Sequence, residues 1–173
     1  MSTVEEYLKE AFAGESQANR KYLAFAAKAD KEGYPRAAAL FRAAAEAETI
    51  HAHNHLRVLK GIGSTVENLE AAIAGETHEF EHMYPEMIEA ARKAERKDAL
   101  RTFEYANEVE KVHAALYREV LNSLDRSRET TVFHVCPTCG YTSEGEVRRP
   151  VPCAGSRERC SRKSTSGVDG NGG

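Results

Sequence analysis

Glu48-Thr49-Ile50-His51 returns sixty-two residues later as Glu110-Lys111-Val112-His113, and these two stretches decide the fold. Each is Glu-x-x-His inside a run rich in Ala, Glu, Lys and Leu, and a spacing of three puts both side chains on one helix face. A four-helix bundle builds half of a carboxylate-bridged two-metal site this way, provided that each of the other two helices adds a Glu.

Upstream, Thr3 and Glu6 form a capping-box pattern ahead of a proline-free run to about Asp30. Leu8, Glu15 and Tyr22 recur at intervals of seven beside Phe12 and Phe25, which sets Glu15 in an apolar stripe. Lys31-Glu32-Gly33-Tyr34-Pro35 ends this helix, and the next runs from Arg36 to about Lys60 with Glu48 and His51 on adjacent heptad lines. After Gly61-Ile62-Gly63-Ser64-Thr65, a third helix starting near Val66 brings Glu76 and Glu79 inwards, with a kink expected near Met83-Tyr84 because Pro85 falls in the pattern. The fourth helix, about Lys97 to Leu124, repeats the second. Glu15, Glu48, Glu76, Glu79 and Glu110, with His51 and His113, thus project from four helices towards one seam.

In a chain that is 29% charged, any single helical Glu is ordinarily a solvated residue. The joint pattern reads differently, because several unpartnered inward carboxylates would cost several kcal/mol each, whereas two cations neutralise them. Oxygen ligands with one imidazole per metal suit iron or manganese better than zinc. His53, His55, His78 and His82 have no counterparts on the other helices and stay outside the ligand set.

The 173 residues suit one average domain plus a small appendage. A net charge of -3 without a basic block gives no electrostatic reason to expect nucleic acid. No apolar run approaches the ~20 residues of a membrane span and no signal-peptide layout opens the chain, so the expectation is a cytoplasmic protein. All four cysteines follow position 135. Val132-Phe133-His134-Val135 reads as a strand leading into Cys136-Pro137-Thr138-Cys139-Gly140-Tyr141, whose Cys-x-x-Cys points to metal ligation or redox chemistry.

Phe12-Ala13-Gly14-Glu15-Ser16-Gln17-Ala18, the two Glu-x-x-His pairs, Ala74-Gly75-Glu76-Thr77-His78-Glu79, Met83-Tyr84-Pro85-Glu86 and the cysteine knuckle together resemble the rubrerythrin family. The resemblance implies an all-α, ferritin-like four-helix bundle holding a di-iron centre over residues 1–127, then a rubredoxin-like segment with one iron in four cysteines over 131–160. It implies that Glu48 and Glu110 bridge the irons, that Glu15 and Glu76 are terminal ligands, and that His113 holds one iron. His51 and Glu79 would exchange on the other as the redox state changes. Tyr22 and Tyr84 match tyrosines that hydrogen-bond near the centre, and are equally readable as core aromatics.

The implied activity is reduction of hydrogen peroxide to water in oxidative stress defence. Electrons would come through the cysteine-bound iron, from rubredoxin or an NAD(P)H-linked reductase. A ferroxidase or iron-handling role and a non-enzymatic electron-transfer module are the alternatives.

Two features depart from a simple reading. Gly61 to Thr65 spans at most ~18 Å, while a crossover between parallel helices of such a bundle must cover ~30 Å or more. The expectation is a domain-swapped homodimer or a larger homo-oligomer. The second knuckle is also irregular: Cys153 is followed by Cys160 rather than by a cysteine three residues on, and 161–173 reads as a disordered Ser/Gly-rich end. A suitable codon choice for Cys153 to Thr165, read in another frame, gives Cys-Gly-Val-Lys-Arg-Glu-Met-Phe-Lys-Lys-Val-Asp, similar to an ordinary rubredoxin-like ending. The hypothesis is a frame change, which the gene sequence would decide. As written, Cys136 and Cys139 are two ligands of the mononuclear site, and Cys153 and Cys160 complete it only with strained geometry.

Overall fold

The computed structural model describes residues 3–125, 131–145 and the backbone of 162–164, and divides into two compact units, 1–64 and 65–173. The first unit is a hairpin of α1 (Val4–Lys31) and α2 (Pro35–Val58). At its start the Thr3 hydroxyl accepts from the Glu6 N–H and the Glu6 carboxylate accepts from the Thr3 N–H, the expected capping box. At the far end of α1, Gly33 takes φ +79° while the Tyr34 N–H reaches back to the Ala29 carbonyl at 2.9 Å. Pro35 then opens α2 where its missing N–H is not needed.

Small residues let the two helices approach closely. Ala38, Ala45 and Ala52, seven apart on α2, are buried, as are Ala26 and Ala29 of α1. The Asn19 amide of α1 fixes the register by donating to the Ala45 carbonyl at 2.7 Å and to Thr49 Oγ1 at 2.8 Å. Asn19 lies one turn beyond Glu15 and Thr49 is the neighbour of Glu48, so this polar clamp sets the two carboxylates side by side. Tyr22, Phe25 and Phe41 form a ring cluster further along.

The second unit opens with the third helix, which is built in three pieces: α3 (Thr65–His78), a π-helical turn over Glu79–Met83, and α4 (Tyr84–Lys93). The expected kink takes this form for a steric reason. Pro85 has no N–H to give the Glu81 carbonyl, and its ring would collide with that carbonyl in a regular α-helix. Widening the turn so that the Tyr84 N–H bonds to the Glu79 carbonyl removes the conflict. After a left-handed Glu95 at φ 54°, α5 (Lys97–Ser123) returns along α3 and α4. Ile88 and Ala91 of α4 and Val109 and Ala114 of α5 are buried.

Three short strands follow. β1 (Phe133–Val135) is central, with β2 (Thr142–Glu144) and β3 (Arg162–Ser164) antiparallel on its two sides. The expected irregular end therefore contains a strand at 162–164, where the second edge of β1 supplies backbone partners that composition does not reveal. Between β1 and β2 the knuckle closes through Cys136 N–H to the Tyr141 carbonyl and Gly140 N–H to the Cys136 carbonyl, both 2.9 Å, with Gly140 at φ +83°. Cys136 is buried. Cys153 and Cys160 lie outside the described residues. Among the described residues no helix is long and apolar enough to cross a membrane.

Candidate metal centre

Each unit gathers one triad of ligand atoms. Glu15, Glu48 and His51 meet in the first, and Glu76, Glu110 and His113 in the second, each set with its donor atoms within 4.8 Å of one another. The two Glu-x-x-His pairs close alike: His51 Nδ1 lies 2.9 Å from Glu48 Oε2, and His113 Nδ1 lies 2.8 Å from Glu110 Oε2. His113 Nδ1 is also 3.7 Å from Glu76 Oε1. The histidines differ in cover, with the side chain of His51 53% exposed and that of His113 28%.

In the second triad burial and the neighbouring carboxylates act on one another. Glu76 is pushed up to about 7, first by burial and then by its hydrogen bond with Glu110 and the charge of that carboxylate, while His113 opposes the rise. Glu110 is also pushed up, mainly by burial, with the charge of Glu79 adding to it and the hydrogen bond from Glu76 working against it. Two adjacent carboxyls placed so that they share a proton are a pair whose mutual repulsion a cation could also relieve. Tyr84 is raised as well, by burial and then by the charges of Glu110, Glu79 and Glu76, so its hydroxyl keeps its proton beside the carboxylates. This places Glu79 and Tyr84 at the same centre. The donor set of hard oxygens with one imidazole per triad fits iron or manganese.

Of the residues expected from sequence, Tyr22 packs with Phe25 and Phe41 in the aromatic cluster. Three residues with a polar role were missed. Asn19 is the register clamp described above. Asn107, one turn before Glu110, carries a buried Oδ1 without a partner, and its position three residues ahead of the motif was the available signal. Thr142 accepts or donates at 2.9 Å from His113 Nε2. It stands twenty-nine residues from His113, and no local pattern marks it.

A helical bundle with paired Glu-x-x-His triads and inward carboxylates defines the class of carboxylate-ligated two-metal proteins. Within that class the Rubrerythrin family profile matches residues 6–121. Rubrerythrin-2 of Clostridium acetobutylicum is 38% identical over 169 residues, covering 88% of this chain and 92% of the relative. Nigerythrin of Nitratidesulfovibrio vulgaris is 36% identical, with 85% and 79% covered. A solved structure of fully reduced, all-ferrous nigerythrin superposes with a TM-score of 0.52 at 34% identity, covering 88% of this chain and 82% of that one. The chain belongs to the rubrerythrin family, the di-iron oxidative stress proteins, and its two Glu/His triads are groups that could hold metal ions.

Proposed function

We propose that this protein is a cytoplasmic peroxidase that reduces hydrogen peroxide to water, with electrons delivered through a rubredoxin-type iron from rubredoxin or an NAD(P)H-linked reductase. The observation that carries the reading is the paired triads, joined in the second unit by Glu79 and Tyr84. Glu15, Glu48, Glu76, Glu110 and His113 would hold the two irons. When bound, the two irons would supply the two electrons that, with two protons from solvent, reduction of hydrogen peroxide to two waters requires.

The chain's own groups supply the rest. The Tyr84 hydroxyl, held protonated, is a hydrogen-bond donor to an oxygen placed at the carboxylates. The proton shared by Glu76 and Glu110 in the metal-free form leaves as cations bind. Among the described residues the His51 ring is held only by Glu48, so it is the imidazole that can leave. Glu79 opens the π-helical turn, whose non-α hydrogen bonding suits a side chain that takes two positions. His51 and Glu79, a softer and a harder donor, would be the alternative ligands of one iron.

A complete centre takes one triad of each kind, and chain length bears on where they come from. Residues 59–64 join α2 to α3 and extend at most ~24 Å. The 24 residues of α2 run ~36 Å. In a bundle with α2 parallel to α3, the halves therefore come from two chains, and a swapped homodimer is the working assembly.

The test is anaerobic mixing of the fully reduced, iron-loaded chain with one equivalent of peroxide. Oxidation of two non-cysteine irons per chain, faster than with dioxygen, supports the peroxidase; faster oxidation by dioxygen would assign a ferroxidase instead. For the swap, a chain lacking Glu15 and Glu48 is refolded with one lacking Glu76 and Glu110. Recovery of activity supports exchange, and its absence contradicts it.

A further inference from the structure

His113 and His51 differ in what holds the second ring nitrogen. His113 Nε2 lies 2.9 Å from Thr142 Oγ1 on β2, and that hydroxyl lies 3.1 Å from the Gly140 carbonyl in the cysteine knuckle. A hydroxyl has one proton, and a carbonyl can only accept. The Thr142 proton therefore goes to Gly140, leaving a lone pair towards His113, so the ring must carry its proton on Nε2. Nδ1 lies 2.8 Å from Glu110 Oε2, so in the metal-free chain a proton is shared between the two, and a cation that takes that proton's place meets the Nδ1 lone pair. Leu69, Leu116, Val120, Phe133 and the ring of Tyr117 line the same cavity, and among the described residues the hydrogen bond at Nε2 is the one to Thr142.

We infer that Thr142 is a positioning residue for the bundle's metal centre, fixing the His113 tautomer and ring plane through a hydroxyl anchored on the knuckle. This rests on the reading of His113 as a metal ligand. Thr142 itself touches no metal. Its position is set by the knuckle: it pairs with Val135 across the sheet, and the Cys136 N–H to Tyr141 bond closes the turn just before it. Formation of the knuckle on α5 and metal affinity at the bundle are consequently linked. The asymmetry also accounts for which histidine stays, because His51 has no such second anchor among the described residues.

Thr142→Val removes the hydroxyl at nearly constant shape, and Thr142→Ser keeps it. In the metal-free full-length protein, above the pH at which imidazole protonates, long-range proton–nitrogen NMR should show His113 protonated on Nε2 in the parent and in Thr142→Ser. In Thr142→Val that preference should be lost. Cobalt(II) titration should show a 10- to 100-fold weakening at the second triad in Thr142→Val, largely restored in Thr142→Ser. An Nε2 proton retained in Thr142→Val together with unchanged cobalt affinity would overturn the inference. So would equal weakening in both variants, which would indicate strand disruption. Failure of the parent to bind cobalt at the triads would instead remove the metal reading, while the ring tautomer would still decide the role of Thr142.

Discussion

Replacing Glu76 by Gln should remove most of the pH dependence of stability from the metal-free protein. In the folded chain Glu76 is raised from 4.5 to about 7 by burial and by Glu110. The folded state therefore holds a proton that the unfolded chain releases near its ordinary value. The stability linked to that proton is fully present below about pH 4.5 and is lost as pH rises through 7. Each pH unit of displacement corresponds to about 1.4 kcal/mol, or about 3 kcal/mol in all. Solvent reaches this carboxylate and screens it, leaving about 1–2 kcal/mol. At roughly 2–4 °C per kcal/mol for a chain of this size, the loss is about 2–8 °C in Tm. The assay is thermal unfolding by circular dichroism after chelation, at half-unit steps from pH 5 to 8. The parent should lose those degrees relative to Glu76→Gln, and loading with divalent metal should reverse the trend, because the cation takes the place of the proton. Parallel curves for the two metal-free proteins would refute the reasoning.

Three further changes probe the scaffold. Glu95→Gly, at a left-handed position after α4, should stabilise the protein by about 1 kcal/mol, read as a higher urea midpoint; a lower midpoint would contradict the cap assignment. Asn19→Ala removes the two bonds that clamp α1 to α2 and should cost about 1–2 kcal/mol in the same assay, with weaker iron binding at the first triad. Pro85→Ala restores an N–H for the Glu81 carbonyl, so the π-helical turn should tighten and Glu79 should rotate by ~100°. Peroxide oxidation should slow at least about tenfold with iron content kept, and an unchanged rate would show that the turn is incidental.

Much of this was legible in the chain because helical chemistry is local. The heptad placement of Glu48, His51, Glu110 and His113 follows from 3.6 residues per turn, and the helix ends follow from Thr3, Gly33 and Pro35. The third helix was half legible: Pro85 announces a disturbance, but whether a helix bends or widens depends on packing against α5. Thr142 was invisible because its role comes from a sheet brought onto α5 by tertiary contacts. Strand β3 was hidden because its three residues pair through their backbone, and Arg162-Lys163-Ser164 carries no strand pattern.

The central claim is that the two triads hold one coupled pair of irons rather than two separate ions. Electron paramagnetic resonance of the fully oxidised, iron-loaded protein tests it most directly, alongside iron quantified per chain. A carboxylate-bridged ferric pair couples antiferromagnetically, so the account predicts two non-cysteine irons per chain with almost no signal from isolated high-spin ferric iron, and appearance of that signal in Glu48→Ala. A full-strength isolated ferric signal from both irons in the parent would contradict it.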